Sequence, residues 1–335
     1  MKLGRRLVTG WSVVAVSLMC AVASAQAQPT ADQVATDSGL SASDRQSVMA
    51  GEFVNVDIKG VSERDLAFAI AFFVKTPPET LAKQIVAGEL ITADEQVKAY
   101  GELTGEGSVV DFAKLTLTAD EAKALANAKA GDKLNMSASE IAAFKPLAGG
   151  APQAIQEQLH RMLLARYQAY RASGLAGIAA YDRGGGKTSD PASDLRKASQ
   201  ATRGLQKYMP HFQKVLLDYP KATLPGMQEK FFWLKSLIHD EMTYVLAHVM
   251  VAADGPARVV ARREYYVSTG YNAEQTVAGF LPVKGGTAVI TTVHAFTDQV
   301  TGMGGSMKRG IGSKVMASKM KEIYDAARER SQKKQ

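Results

Sequence analysis

The sequence predicts an α+β fold: an antiparallel sheet gripping a long C-terminal helix, with a helical insertion in the middle of the chain. Three patterns carry this expectation. Apolar residues alternate with period two from Asp65 to Val74 and again from Phe231 to Phe296. They recur at helical spacing between Pro152 and Leu217, and an amphipathic stretch from Ser306 to Arg330 follows a glycine-rich turn. With 335 residues, 46% of them hydrophobic, the chain can bury a core of its own and is not disordered; one cysteine rules out a disulfide scaffold.

In chain order, Lys2, Arg5 and Arg6 precede an apolar stretch from Val13 to Ala23 and the triplets Ala23-Ser24-Ala25 and Ala25-Gln26-Ala27. These are the three parts of a secretory signal peptide, and the apolar stretch is shorter than the roughly 20 residues that cross a bilayer. Residues 1–27 are therefore read as a leader and the mature protein as periplasmic or secreted. Cleavage takes Cys20 with it, leaving no thiol for catalysis. Residues 28–43, rich in Ala, Ser, Asp and Gln, read as a flexible lead-in, and residues 44–335 as a single α+β domain.

Strand spacing places Leu66, Phe68, Ile70, Phe72 and Val74 on one face and Ala67, Ala69 and Ala71 on the other. Pro77-Pro78 stops this strand, and a short helix from Glu79 to Ala87 ends near Gly88. Strands are expected at Val97 to Leu103 and Val109 to Leu117. The capping-box spacings Thr118 to Glu121 and Ser137 to Glu140 each open a helix. From Pro152 to Ser173, Ile155, Leu159, Met162, Leu163, Tyr167 and Tyr170 form a continuous stripe. Asp194 to Leu217 repeats the pattern, with Pro210 splitting it, and Asp182 to Pro191 forms a polar loop between the two. Residues 152–219 are thus a helical insertion or lid. Further on, Met242, Tyr244, Leu246, His248 and Met250 share a strand face. Strands at Arg258 to Tyr266, Thr276 to Val283 and Thr287 to Phe296 continue an antiparallel meander. In the closing helix, Ile311, Val315, Met320, Ile323, Tyr324 and Ala327 form the expected apolar side.

Two stretches resemble the first and last elements of START-like, polyketide-cyclase-like helix-grip domains. They are Phe72-Phe-Val-Lys-Thr-Pro-Pro-Glu-Thr-Leu81 and Thr297-Asp-Gln-Val-Thr-Gly-Met-Gly-Gly-Ser-Met-Lys-Arg309. Leu216-Leu-Asp-Tyr-Pro-Lys-Ala-Thr-Leu-Pro-Gly226 and Tyr170-Arg-Ala-Ser-Gly174 are similar to a group of exported bacterial proteins of unassigned function. The first resemblance implies a cavity for a lipid-like molecule between the sheet and the closing helix, and the second implies no activity. The block from Pro152 to Tyr219 is larger than the insert such a grip usually carries.

The formal charge of +7 falls to 7 − 3 = +4 without the leader. The stretch from Lys308 onward holds nine basic and three acidic residues, a net of +6, so the rest of the mature chain is near −2. One basic terminal helix fits an anionic membrane surface and not a nucleic acid. The five histidines show no zinc spacing, Gly184-Gly-Gly-Lys-Thr lacks the first glycine of a phosphate loop, and no Gly-x-Ser-x-Gly elbow is present. No catalytic residue, metal or cofactor is assigned. The polar and aromatic residues of the late strands, Trp233, Tyr244, His248, Arg263, Tyr265, His294 and Phe296, are the candidate ligand contacts. They fit a binding or carrier protein for a hydrophobic small molecule such as a lipid. The alternatives are a motif-free enzyme on the same scaffold and an envelope structural or assembly factor.

Overall fold

Reciprocal capping sets where the first described elements begin. Thr30 and Gln33 cap α1 (Ala31–Asp37), and Ser41 and Asp44 cap α2 (Ala42–Met49). The structure, a computed structural model, describes residues 30–238, 240–302 and 304–333; the expected leader with Cys20 lies outside them. The lead-in expected to be flexible is helical from Ala31 onward. Its Ala35 and Leu40, with Val48 of α2, bury against Ala71, Leu281, Ala288 and Ile290, an apolar contact that the polar composition of the segment conceals.

The other elements follow in order: β1 (Val54–Asp57), β2 (Asp65–Val74), α3 (Pro78–Val86), α4 (Glu89–Ala93), β3 (Val97–Leu103), α5 (Ala119–Ala126), α6 (Ala138–Phe144) and α7 (Pro152–Ser173). The hairpin β4 (Tyr181–Asp182) and β5 (Thr188–Ser189) then leads to α8 (Pro191–Ala201), α9 (Arg203–Tyr208) and α10 (Pro210–Asp218). Last come β6 (Gln228–Ile238), β7 (Glu241–Asp254), β8 (Ala257–Val267), β9 (Ala273–Val283), β10 (Gly286–Phe296) and α11 (Gly305–Lys333). Both capping-box helices, the long helix α7 and the meander form where the sequence places them.

The strand expected from Val109 to Leu117 does not form. Ser108 and Asp111 cap a 3-10 turn over Val109–Phe112 instead, which drives Phe112 into the core with Leu115 and leaves Val110 exposed. The second helical stretch breaks at Thr202, where ψ reaches 87°, as well as at Pro210. The loop after α7 contains a hairpin, because Arg183 bonds Ser189, Asn135, Asn272 and Asp298 and so fixes it to the end of the sheet.

The large sheet has the order β1-β2-β10-β9-β8-β7-β6-β3 and every neighbouring pair is antiparallel. Among the described residues, helices α5 to α10 with α1 and α2 cover one face. That face receives Trp233, Tyr244, Leu246, Met250, Val277 and Ile290. Helices α3, α4 and α11 lie on the other, over Phe68, Phe72, Val245, Val249 and Val289. The alternation read in β2 holds, with Phe68, Ile70 and Phe72 facing α11 and Ala71 facing α1 and α2.

The apolar side of α11 forms only in part as expected: Met320 and Tyr324 pack inward, Tyr324 against Phe72 at 4.0 Å between ring centroids. Ser313 and Ala317 are buried and Met316 and Met320 lie against Phe68, Ile70 and Val293, while Ile311 and Val315 are exposed. Gly312, Ser313 and Ala317 are small, so the helix comes close to β2; a Cβ on Gly312 would stand 3.1 Å from Leu66. Close approach selected the small residues for the interface and turned the branched ones outward. The side chain of Ala327 lies outside the described residues.

Candidate functional site

Strand register brings all seven candidate residues to the sheet face covered by α5 to α10. His248 stands directly opposite Arg263, Trp233 opposite Leu246, and His294 opposite Gln275. A bulge between Leu246 and Ala247 makes Tyr265 and Tyr266 both enter this core, a doubling that simple alternation does not foresee. Trp233, Tyr244, Tyr265 and Phe296 are buried there. Trp233 donates its Nε1–H to the Asp111 carbonyl.

His248 and Arg263 belong to one closed polar chain. The Arg263 guanidinium donates to the Tyr170 hydroxyl at 3.2 Å, to the Ser199 hydroxyl at 3.2 Å, to the Leu216 carbonyl at 2.7 Å and to Gln275 Oε1 at 2.8 Å. The Tyr170 hydroxyl stands 3.1 Å from His248 Nδ1, and His248 Nε2 stands 3.0 Å from Glu229. Since Arg263 can only donate, the directions run from Arg263 to Tyr170, from Tyr170 to Nδ1, and from Nε2–H to the carboxylate. This assignment requires a neutral imidazole. Burial pushes the His248 pKa down to about 4, while the hydrogen bond from His248 holds Glu229 below the usual carboxylate range. Phe231 stacks on His248 at 4.1 Å and Tyr265 on Tyr170 at 4.0 Å, so the interior of the chain is packed with rings. It fixes the orientation of α7 against the sheet.

The open site lies beside this core, on the same face. A groove of about 580 Å³ runs over β8, β9 and β10 between α1 and the α8–α9 junction. Val259, Val277, Leu281 and Ile290 form its floor, with Gly279 between them and Thr292 and His294 at one end; Val34, Leu205 and Met209 line its walls. A Cβ on Gly279 would find no atom nearer than the Ile290 carbonyl at 3.9 Å, so the missing side chain is open space. His294 Nδ1–H donates at 2.8 Å to Asp65 Oδ2, which also accepts from the Val61 N–H at 2.7 Å. Both residues are buried, and with Nδ1 engaged Nε2 is the ring nitrogen that His294 has left to offer the groove it lines. Asp65 Oδ1 has no hydrogen-bond partner.

Across the mouth, Asp37 of α1 accepts from Lys207 at 2.8 Å and from the Tyr208 hydroxyl at 2.5 Å, both on α9. These two bonds hold its carboxyl below its ordinary pKa. Of the seven candidates, only His294 lines the groove. Local sequence pattern does not mark Asp65, Leu281 or the α1–α9 bridge as parts of a site, since each depends on partners distant in sequence. A glycine in mid-strand was the one visible signal, because it marks a bulge or a close approach.

On the α11 face, Glu264 stands opposite Glu274, with Arg262 paired to Glu264 and the Tyr271 hydroxyl donating to it. Burial and the neighbouring Glu264 raise the pKa of Glu274. Among the described residues, no three His, Cys, Asp or Glu side chains are grouped to hold a metal ion. Comparison with protein-family models, with curated proteins and with solved structures returns no match.

Proposed function

We propose that the protein binds a small amphiphile in the groove over β8 to β10, with the apolar body on Val259, Val277, Leu281 and Ile290 and the polar end at His294. The observation that carries this reading is the combination of an apolar floor of ligand size with one oriented ring nitrogen at its end. Groove volumes of about 300–1,000 Å³ with few polar groups suit such ligands. This pocket lies on the face opposite α11, so the proposal differs in place from the cavity implied by the helix-grip resemblance while keeping the class of ligand.

Titration with a dansyl-labelled undecanol tests it. The wild-type chain is expected to give saturable, blue-shifted emission. Gly279→Leu, which fills the groove from a position with free space, is expected to weaken binding by roughly tenfold or more, the equivalent of about 1.4 kcal/mol, with the thermal midpoint preserved. His294→Phe is expected to weaken the alcohol-headed probe, whose hydroxyl can donate to Nε2, more than an alkyl analogue without a polar head. Wild-type-like binding by Gly279→Leu, or no binding by the wild type, overturns the proposal.

A further inference from the structure

We propose that the outward face of α11 docks on an anionic bilayer surface. Met307, Ile311 and Val315 are 72%, 59% and 57% exposed. Their i, i+4, i+8 spacing aligns them in one ridge about 12 Å long. At about 100° per residue, Lys308 and Lys314 fall on opposite flanks of that ridge, and both are exposed. From Gly305 to Ser318 the helix carries Lys308, Arg309 and Lys314 and no carboxylate.

An apolar ridge between cations places its side chains in the acyl boundary while the flexible amines reach lipid phosphates. The ridge is presented ready-formed, because the reverse side of the helix is held by Ala317, Met316 and Met320 against Phe68, Ile70 and Val293. A second copy is a poor occupant. Two such faces brought together would set cation against cation with no acidic partner in the stretch. No described helix is long and apolar enough to cross a membrane, so the contact is peripheral. It lies on the sheet face opposite the groove and does not depend on the ligand proposed for it.

Co-sedimentation tests the docking, using the chain from residue 28 onward, which contains every described element. The vesicles are equal parts phosphatidylglycerol and phosphatidylcholine, or phosphatidylcholine alone, at about 0.1 M and about 0.5 M salt. The wild type is expected to prefer the anionic vesicles by roughly tenfold or more and to retain part of its binding at the higher salt. Changing Met307→Ser, Ile311→Ser and Val315→Ser together is expected to remove the salt-resistant part with the thermal midpoint unchanged. Lys308→Gln with Lys314→Gln is expected to remove chiefly the salt-sensitive part. The proposal is overturned if the wild type ignores anionic vesicles or if the triple serine variant binds as well as the wild type. A dimer in analytical ultracentrifugation, abolished by the serine changes without any vesicle binding, overturns it as well.

Discussion

Replacing His248 by glutamine tests the direction of the buried hydrogen-bond chain through the pH dependence of stability. The imidazole titrates near 6.5 in the unfolded chain, and burial lowers it to about 4 in the folded protein. A base with a depressed folded pKa contributes stability that is complete above 6.5 and is lost as the pH falls toward 4, since in that window only the unfolded state gains the proton. Between pH 7.5 and pH 5 the loss integrates to about 2 kcal/mol, and it approaches about 3 kcal/mol near pH 4. Two other buried groups work in the opposite sense. Asp194, with Oδ2 unpartnered, has its pKa raised by burial to about 6, and Glu274 is raised as well. Their stabilisation is complete at low pH and lost as the pH rises through their folded values. They are common to wild type and His248→Gln, so the stability difference between the two proteins isolates the imidazole. Urea unfolding at pH 7.5, 6 and 5 supplies that difference, which is expected to shift toward the variant by about 2 kcal/mol between the ends of the range. A flat difference, or one that favours the wild type on acidification, refutes the neutral chain and replaces it with a charged His248–Glu229 pair.

Two further perturbations have defined outcomes. Arg166 and Glu140 form a bidentate pair at 2.6 Å with little exposure, the guanidinium also lying 4.2 Å over the Tyr266 ring. Glu140→Gln is expected to cost about 3–5 kcal/mol in urea unfolding, and Glu140→Leu with Arg166→Met is expected to restore much of it, because the lone buried charge is then gone. Asp37→Ala removes the bridge from α1 to Lys207 and Tyr208 on α9 across the groove mouth. Stopped-flow dissociation of the dansyl probe is expected to be several-fold faster, with the thermal midpoint hardly moved; an unchanged rate denies the bridge any part in retaining ligand.

Elements defined by local patterning were legible in the sequence. The Thr118 and Ser137 capping boxes, the α7 stripe and the alternation of β2 and β7 each depend on spacing within one element, and each forms as read. What failed depended on partners distant in sequence. The polarity of α1 hid a few apolar contacts with β9 and β10, and the helical pattern of α11 did not say which of its two apolar stripes would meet β2. The sharing of one face by His294 and Ile290 was readable, as was that of His248 and Met250. That rings would fill the space beside His248 while space beside His294 stays open is decided by α7 and α1, whose docking no local pattern records.

The pairing of β2 with β10 has a consequence for how the chain is made. Val74 leaves the ribosome 287 − 74 = 213 residues before Thr287, the residue it meets in β10. At about 5–20 residues per second, β2 spends about 10–40 s without its main neighbour, Phe68, Ile70 and Phe72 uncovered. Of its two neighbours in the described sheet, β1, four residues long, is the one already made in that interval. The native sheet therefore cannot be completed before β10 has been made, and until then β2 is an uncovered apolar strand of the kind that a holding chaperone is suited to cover.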